Sequence, residues 1–209
     1  MIHTLVNAWY RENNPFITFN PKKIIHTRRL KDLTKNSFLI LWGGEDIATE
    51  IYNESPSKYG STEKKSIRDC LEIDMFNKAC DLEIPILGIC RGAQLITALT
   101  GGSLVQHIVD HEGINHTVTT EDGTIMTTNS YHHQMMQPAA GNPILAYGPS
   151  TQGVDNNDNF ITYEKVPEMV HFPAVKGLGI QGHIEWASMP HQYRLYIEQN
   201  IQELLLNNE

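Results

Sequence analysis

Short apolar runs broken by polar turns mark this chain, and in its first half they alternate with segments of helical period. Ile2–Val6 reads as a first strand. Ser37–Trp42 and Pro85–Ile89 are nearly continuous apolar runs of strand length, the pattern of parallel strands buried on both faces. Residues 22–33 (KKIIHTRRLKDL) predict a short helix, and residues 47–60 an irregular loop with turn residues at Asn53, Pro56 and Gly60. From Thr62 to about Leu82 the spacing predicts a helix. Its apolar face would carry Ile67, Leu71, Met75, Ala79 and Leu82, with the charges on a solvated face. A further helix follows Gly92 and ends at Gly101-Gly102.

Beyond Gly102 the texture changes to short β-prone pieces at 103–106, 116–120, 124–128, 144–147, 160–165 and 169–172. Residues 148–159 are rich in turn formers and predict a mobile loop. Residues 179–186 return to a strand-like run, and Pro190 opens a last helix whose stripe is Tyr193, Ile197, Ile201 and Leu204. With 209 residues, the chain predicts one domain spanning 1–209.

The net charge of −8, with Lys and Arg scattered, argues against nucleic acid and anionic membranes as partners. No run has the length of a membrane span, and the N-terminal residues lack the pattern of a signal peptide. Three cysteines without paired or metal-like spacing fit a reducing compartment, so a cytoplasmic protein is expected.

Cys90 interrupts the pattern in an informative way. It stands between Gly88 and Gly92, at the switch from an apolar strand to a helix. That is the form of a nucleophile elbow, with the thiol at a helix N-terminus where the dipole favours thiolate. Cys70 and Cys80 read as ordinary core cysteines. A cysteine nucleophile needs a base and a group to orient it. His183 and Glu185, two apart in a strand-like run, would share one face and could supply both. His107, His111, Glu112 and His116 have a spacing that binds metal on a helix, but Gly113 and the β-prone surroundings argue against a helix there. No metal is therefore expected there. Asn129–Gln134 (NSYHHQ) is a dense polar cluster in which the adjacent histidines face opposite ways.

Together, Leu87–Gln94 (LGICRGAQ), Gly43-Gly44-x-Asp46, NSYHHQ and Gln181-Gly-His183-Ile-Glu185 resemble the class I glutamine amidotransferase domain. The closer resemblance is to its γ-glutamyl-γ-aminobutyrate hydrolase-like branch, through Tyr59-Gly60, Arg68-Asp69-x-x-Glu72 and Gly101–Leu104. The resemblance implies a flavodoxin-like α/β fold: a mostly parallel central sheet flanked by helices, with an additional antiparallel strand layer from residues 103–172. It implies an enzyme with Cys90 as nucleophile, His183 as general base and acid, and Glu185 as the orienting group. That chemistry needs no organic cofactor. Backbone N–H groups of Gly44 and Arg91 would form the oxyanion hole, and Gln94, Ser130, Tyr131, His132 and His133 would contact substrate. Ile184 departs from the family's His-Pro-Glu, and Ala48 and Thr49 from a proline usual in that branch.

Three readings follow from this set: a free-standing hydrolase of γ-glutamyl amides, a glutaminase feeding ammonia to a separate synthetase, and a silent binding module. The branch-specific motifs favour the first.

Overall fold

A computed structural model describes residues 4–8, 21–59, 62–155 and 158–206. In chain order, β1 (Thr4–Ala8), β2 (Lys23–Thr27) and β3 (Ser37–Leu41) precede helix α1 (Ile67–Leu82). β4 (Ile86–Ile89) leads directly into α2 (Arg91–Leu99). Nine further strands follow: β5 (Ser103–Val105), β6 (Glu112–Thr120), β7 (Ile125–Tyr131), β8 (Met135–Gln137), β9 (Ile144–Gly148), β10 (Thr151–Val154), β11 (Phe160–Tyr163), β12 (Val166–Phe172) and β13 (Gly177–Ile180). Helix α3 (His191–Asn200) and a π-helical turn at Ile201–Leu206 come last.

Nine strands form one sheet in the order β2-β1-β3-β4-β13-β12-β9-β6-β7. The pairings from β2 to β13 are all parallel, and those from β13 to β7 all antiparallel. This corrects the expected architecture. Most of the β-prone second half does not form a separate layer over a parallel sheet. It extends the same sheet by four antiparallel strands, which makes the sheet mixed. The reason is local: hairpin turns such as Glu121-Asp122-Gly123, with Gly123 at φ 83°, permit only antiparallel return.

Alternation along the central strands builds two cores, because successive side chains leave opposite faces. Phe38, Ile40, Trp42, Leu87 and Ile89 pack with Tyr193 and Ile197 of α3. Leu39, Leu41 and Ile86 pack with Met75, Phe76 and Ala79 of α1 and with Ala93 and Ile96 of α2. All five β3 residues are buried. Each such aliphatic side chain contributes roughly 1.5–3 kcal/mol by leaving water. β3 and β4 are thus clamped from both sides, and their C-terminal ends present a rigid edge.

Several expectations change. Residues 23–27 form edge strand β2, followed by a 3-10 turn at Leu30–Asp32, because β-branched Ile24 and Ile25 extend alongside β1. α1 starts later than predicted, capped by Ser66, whose hydroxyl and Asp69 carboxylate exchange hydrogen bonds with each other's backbone N–H. Its buried face carries Met75 and Ala79 as predicted, with Leu71 and Leu82 half-buried against the core, but it is wider than predicted and leaves Ile67 out. Ile67 is 82% exposed, whereas Arg68, Asp69 and Glu72 are buried. Cys70 is exposed and so not a core cysteine, while Cys80 is half-buried and packs against the core. The segment predicted as a mobile loop holds β10, paired with β11. Ile2 and His3 of the predicted first strand, and Gly60 of the Tyr59-Gly60 motif, lie outside the described residues. No helix among the described residues is long and apolar enough to cross a membrane.

Candidate active site

Cys90 sits where β4 passes into α2, with φ 50° and ψ −110°. A non-glycine residue in such a conformation costs about 1–3 kcal/mol and persists only where its surroundings fix it. They do so here. The Cys90 N–H donates to the Ile180 carbonyl at 2.7 Å, and the Cys90 carbonyl accepts from the N–H groups of Ala93 and Gln94 at 3.0 and 3.2 Å. The flanking glycines answer to close approach. A Cβ on Gly88 would stand 2.5 Å from the Gly92 carbonyl carbon, and one on Gly92 only 2.0 Å from the Leu41 carbonyl oxygen. Arg91 is the first residue of α2, so its N–H has no partner within the helix.

His183 and Glu185 lie in the turn after β13 rather than on a strand as predicted. Their pairing survives that difference. The imidazole Nδ1 is 2.7 Å from Glu185 Oε1. Because the carboxylate can only accept, Nδ1 carries the proton. Asn129 fixes the backbone of this turn from both sides, accepting from the His183 N–H at 2.8 Å and donating to its carbonyl at 3.0 Å. The Trp186 ring stacks on the imidazole, with centroids 4.0 Å apart and planes 11° from parallel. Burial works against the charged imidazole, but hydrogen bonding to Cys90 and Glu185 outweighs it and raises the His183 pKa to about 10.

The Gly43-Gly44 loop closes on this pair from the end of β3. A Cβ on Gly43 would lie 2.8 Å from His183 Cε1 and 3.4 Å from Cys90 Cβ. Gly44 has φ 143°, a conformation that favours glycine. The loop is held from below by buried charges on α1. Arg68 donates to the carbonyls of Trp42 and Gly43 at 2.8 and 3.0 Å, and to Glu72 at 2.9 Å. Glu72 and Asp69 in turn pair with the Arg91 guanidinium, itself 2% exposed. One ionic network therefore ties the loop to the elbow.

Cys90, His183 and Glu185 share a cavity of about 300 Å³ with Trp42, Gly43, Gly44, Tyr131 and Trp186. That is the lower end of small-molecule sites. A buried thiol, a hydrogen-bonded imidazole and a carboxylate in one small cleft can perform nucleophilic acyl chemistry.

The model of the peptidase C26 family matches residues 31–161 of this chain. The chain belongs to that family. Among relatives of this C26 domain, the glutamine amidotransferase-like protein YvdE of Lactococcus lactis is 28% identical over 160 residues, covering 65% of this chain and 67% of YvdE. The protein NtpR of Enterococcus hirae is 30% identical over 161 residues, covering 64% of this chain and 67% of NtpR. A glutamine amidotransferase structure from Thermotoga maritima superposes with a TM-score of 0.55 at 16% identity, covering 98% of this chain and 84% of that one. The fold is that of the class I glutamine amidotransferases.

The C26 domain distributes the sequence-predicted site residues unequally. Cys90, His183, Glu185, Gly44 and Tyr131 line the cavity. Arg91 does not line it, and its guanidinium is turned into the pairs with Asp69 and Glu72. The Gln94 amide is buried and donates to the Gln134 carbonyl at 3.4 Å. Ser130 and His132 do not line the cavity: the Ser130 hydroxyl donates to the His111 carbonyl, and His132 packs in a buried cluster around Glu168. His133 turns the other way and pairs with Asp46 at 3.1 Å, which raises its pKa against the effect of burial. Adjacent residues on extended backbone must diverge in this way. Sequence reading missed three residues: Trp42 and Trp186, which wall the cavity, and Gln181, whose Nε2 lies 3.7 Å from Cys90 Sγ. Gln181 and Trp186 flank the His183–Glu185 motif, and that proximity was the available signal.

Proposed function

We propose that this chain hydrolyses the γ-glutamyl amide bond of a small amine through a glutamyl thioester on Cys90. The observation that carries the reading is the convergence, in one cavity, of a strained elbow cysteine and an imidazole hydrogen-bonded to a carboxylate.

The Cys90 thiolate attacks the γ-carboxamide carbon, and the N–H groups of Gly44 and Arg91 stabilise the oxyanion. The C–N bond then breaks, and His183 gives its proton to the leaving amine. A water molecule next attacks the thioester while His183 takes its proton. The C–S bond breaks, and glutamate leaves with Cys90 restored. Glu185 keeps the imidazole oriented throughout and favours the imidazolium form, in line with the raised His183 pKa. Tyr131 and Trp186 offer the leaving group an aromatic wall, which favours an amine with a hydrocarbon chain over ammonia.

The test is glutamate release, followed by mass spectrometry, from glutamine and a panel of γ-glutamyl amines, with Cys90→Ala beside the native chain. The reading expects Cys90-dependent turnover of a γ-glutamyl amine well above that of glutamine. Turnover of glutamine alone, raised by cell extract, would replace it with an ammonia-supplying glutaminase.

A further inference from the structure

Outside the cleft, three histidines surround one carboxylate in the interior of the antiparallel half of the sheet. His111 precedes β6, His116 lies on β6, His132 follows β7, and Glu168 lies on β12. Glu168 is 0% exposed, His111 2% and His132 4%. The His116 side chain is 7% exposed. The Nε2 atoms of His116, His132 and His111 stand 3.3, 3.7 and 4.0 Å from the same Glu168 Oε1.

The far side of each ring decides what these nitrogens can do. Each Nδ1 faces a main-chain carbonyl: His111 that of Val109 at 2.9 Å, His116 that of Thr117 at 3.0 Å, and His132 that of Gln134 at 2.9 Å. A carbonyl only accepts, so all three Nδ1 atoms carry the proton, and in the neutral ring each Nε2 presents a lone pair. Five buried polar atoms then face one another, three Nε2 and both oxygens of Glu168, and none has a well-aligned partner, the nearest approach being His116 Nε2 to Glu168 Oε1 at 3.3 Å. Lone pairs aimed at a buried carboxylate are unfavourable unless something positive lies between them. A proton on His116 alone, opposed by burial but favoured on balance by Glu168, satisfies one Nε2 and leaves two. Protonating all three imidazoles would set like charges side by side, since the His111 ring centroid is 4.6 Å from that of His116 and 5.2 Å from that of His132. A single divalent ion satisfies all these atoms at once.

We infer that His111, His116, His132 and Glu168 form a closed site for a zinc-type divalent cation. Three imidazole nitrogens and one carboxylate oxygen are the borderline donors such an ion takes. Tetrahedral donors at about 2.0–2.1 Å from an ion lie about 3.3 Å apart. The candidate ligand atoms of His111, His116 and Glu168 already lie within 4.8 Å of one another, and His132, outside that group, reaches it through Glu168 Oε1 at 3.7 Å and must swing inward to complete the set. The Nδ1–carbonyl bonds are the outer support that fixes the tautomer of metal-bound histidines.

Four protein donors leave no open position for substrate, so the role is structural. The ion would pin β6, the end of β7 and β12 together beside the catalytic turn. The link to that turn is short: the Glu168 carbonyl accepts from the Gln181 N–H at 2.9 Å, two residues before His183. These ligands need no helix to bring them together, because they come from three separate segments of the sheet.

The test uses full-length protein free of any histidine tag, stripped with chelator, dialysed, and titrated with zinc and then with cobalt. The expected result is one equivalent bound at submicromolar Kd, a thermal midpoint raised by several degrees, and the visible absorption of tetrahedral cobalt. Glu168→Gln and His116→Asn should each weaken zinc at least about 100-fold. The cobalt spectrum of the unmutated chain decides the matter should both variants fail to fold. Absence of stoichiometric zinc and cobalt binding, or binding undiminished in a folded variant, would overturn the inference.

Discussion

The Arg68 guanidinium bonds the Gly43 carbonyl at 3.0 Å, and so a residue buried on α1 holds the loop that covers the catalytic cysteine proposed here. Gly44 follows directly, and its N–H is one of the two proposed oxyanion donors. Arg68→Met should lower kcat about 10²-fold with little change in KM, the cost of misplacing one such donor. It should also destabilise the chain by about 3–5 kcal/mol in urea unfolding, because Glu72 loses one of its two buried arginine partners. An unchanged kcat in a stable variant would separate Arg68 from catalysis.

This network also shows where sequence reading reached its limit. The strands around Cys90 and the elbow itself were legible, because apolar runs, glycines and the strand-to-helix switch are local signals. The buried face of α1 was legible only in part, through Met75 and Ala79. Its apolar stripe through Ile67 pointed to one side, yet the helix turns Arg68, Asp69 and Glu72 inward, where they satisfy one another, Arg91 and two loop carbonyls. Only tertiary partners make those charges tolerable inside. The same holds for Ser130 and His132, whose polar character read as substrate contact but whose partners are His111 and Glu168. The antiparallel half was seen as strands but not as part of the same sheet, since strand propensity carries no information about which edge a strand joins.

Two glycines separate catalysis from folding. A methyl on Gly43 meets His183 Cε1 at 2.8 Å, so Gly43→Ala should cut kcat/KM by at least about 10²-fold while leaving the unfolding midpoint nearly unchanged. Gly92→Ala sets a Cβ 2.0 Å from the Leu41 carbonyl oxygen and should destabilise the fold itself by about 1–3 kcal/mol or more. Circular dichroism melts beside activity assays distinguish the two. Equal loss of stability in both would contradict this division.

The raised His183 pKa fixes the sign of a pH effect. An imidazole near about 6.5 in the unfolded chain and about 10 when folded contributes stability fully below the first value. That contribution fades as pH rises toward the second. Glu185→Gln removes one of the groups favouring the charge. The stability gap between native chain and variant, read as urea midpoints, should therefore be widest near pH 6 and close by about pH 10. A gap that widens with pH would reverse the assignment of charge.

Trp186 both stacks on His183 and faces Tyr131 edge-on, with centroids 5.5 Å apart. If this rim receives the leaving amine, Trp186→Leu should raise KM for γ-glutamyl amines about tenfold, or ~1.4 kcal/mol, and raise it less for glutamine. Steady-state kinetics on both substrates provide the comparison, and equal changes would remove the rim from specificity.

The most direct measurement is the intact mass of the protein, acid-quenched during turnover of a γ-glutamyl amine, followed by peptide mapping. The account predicts a transient gain of one glutamyl group on the peptide bearing Cys90, absent in Cys90→Ala. Turnover without any such adduct, or with the group on another residue, would contradict a thioester on Cys90.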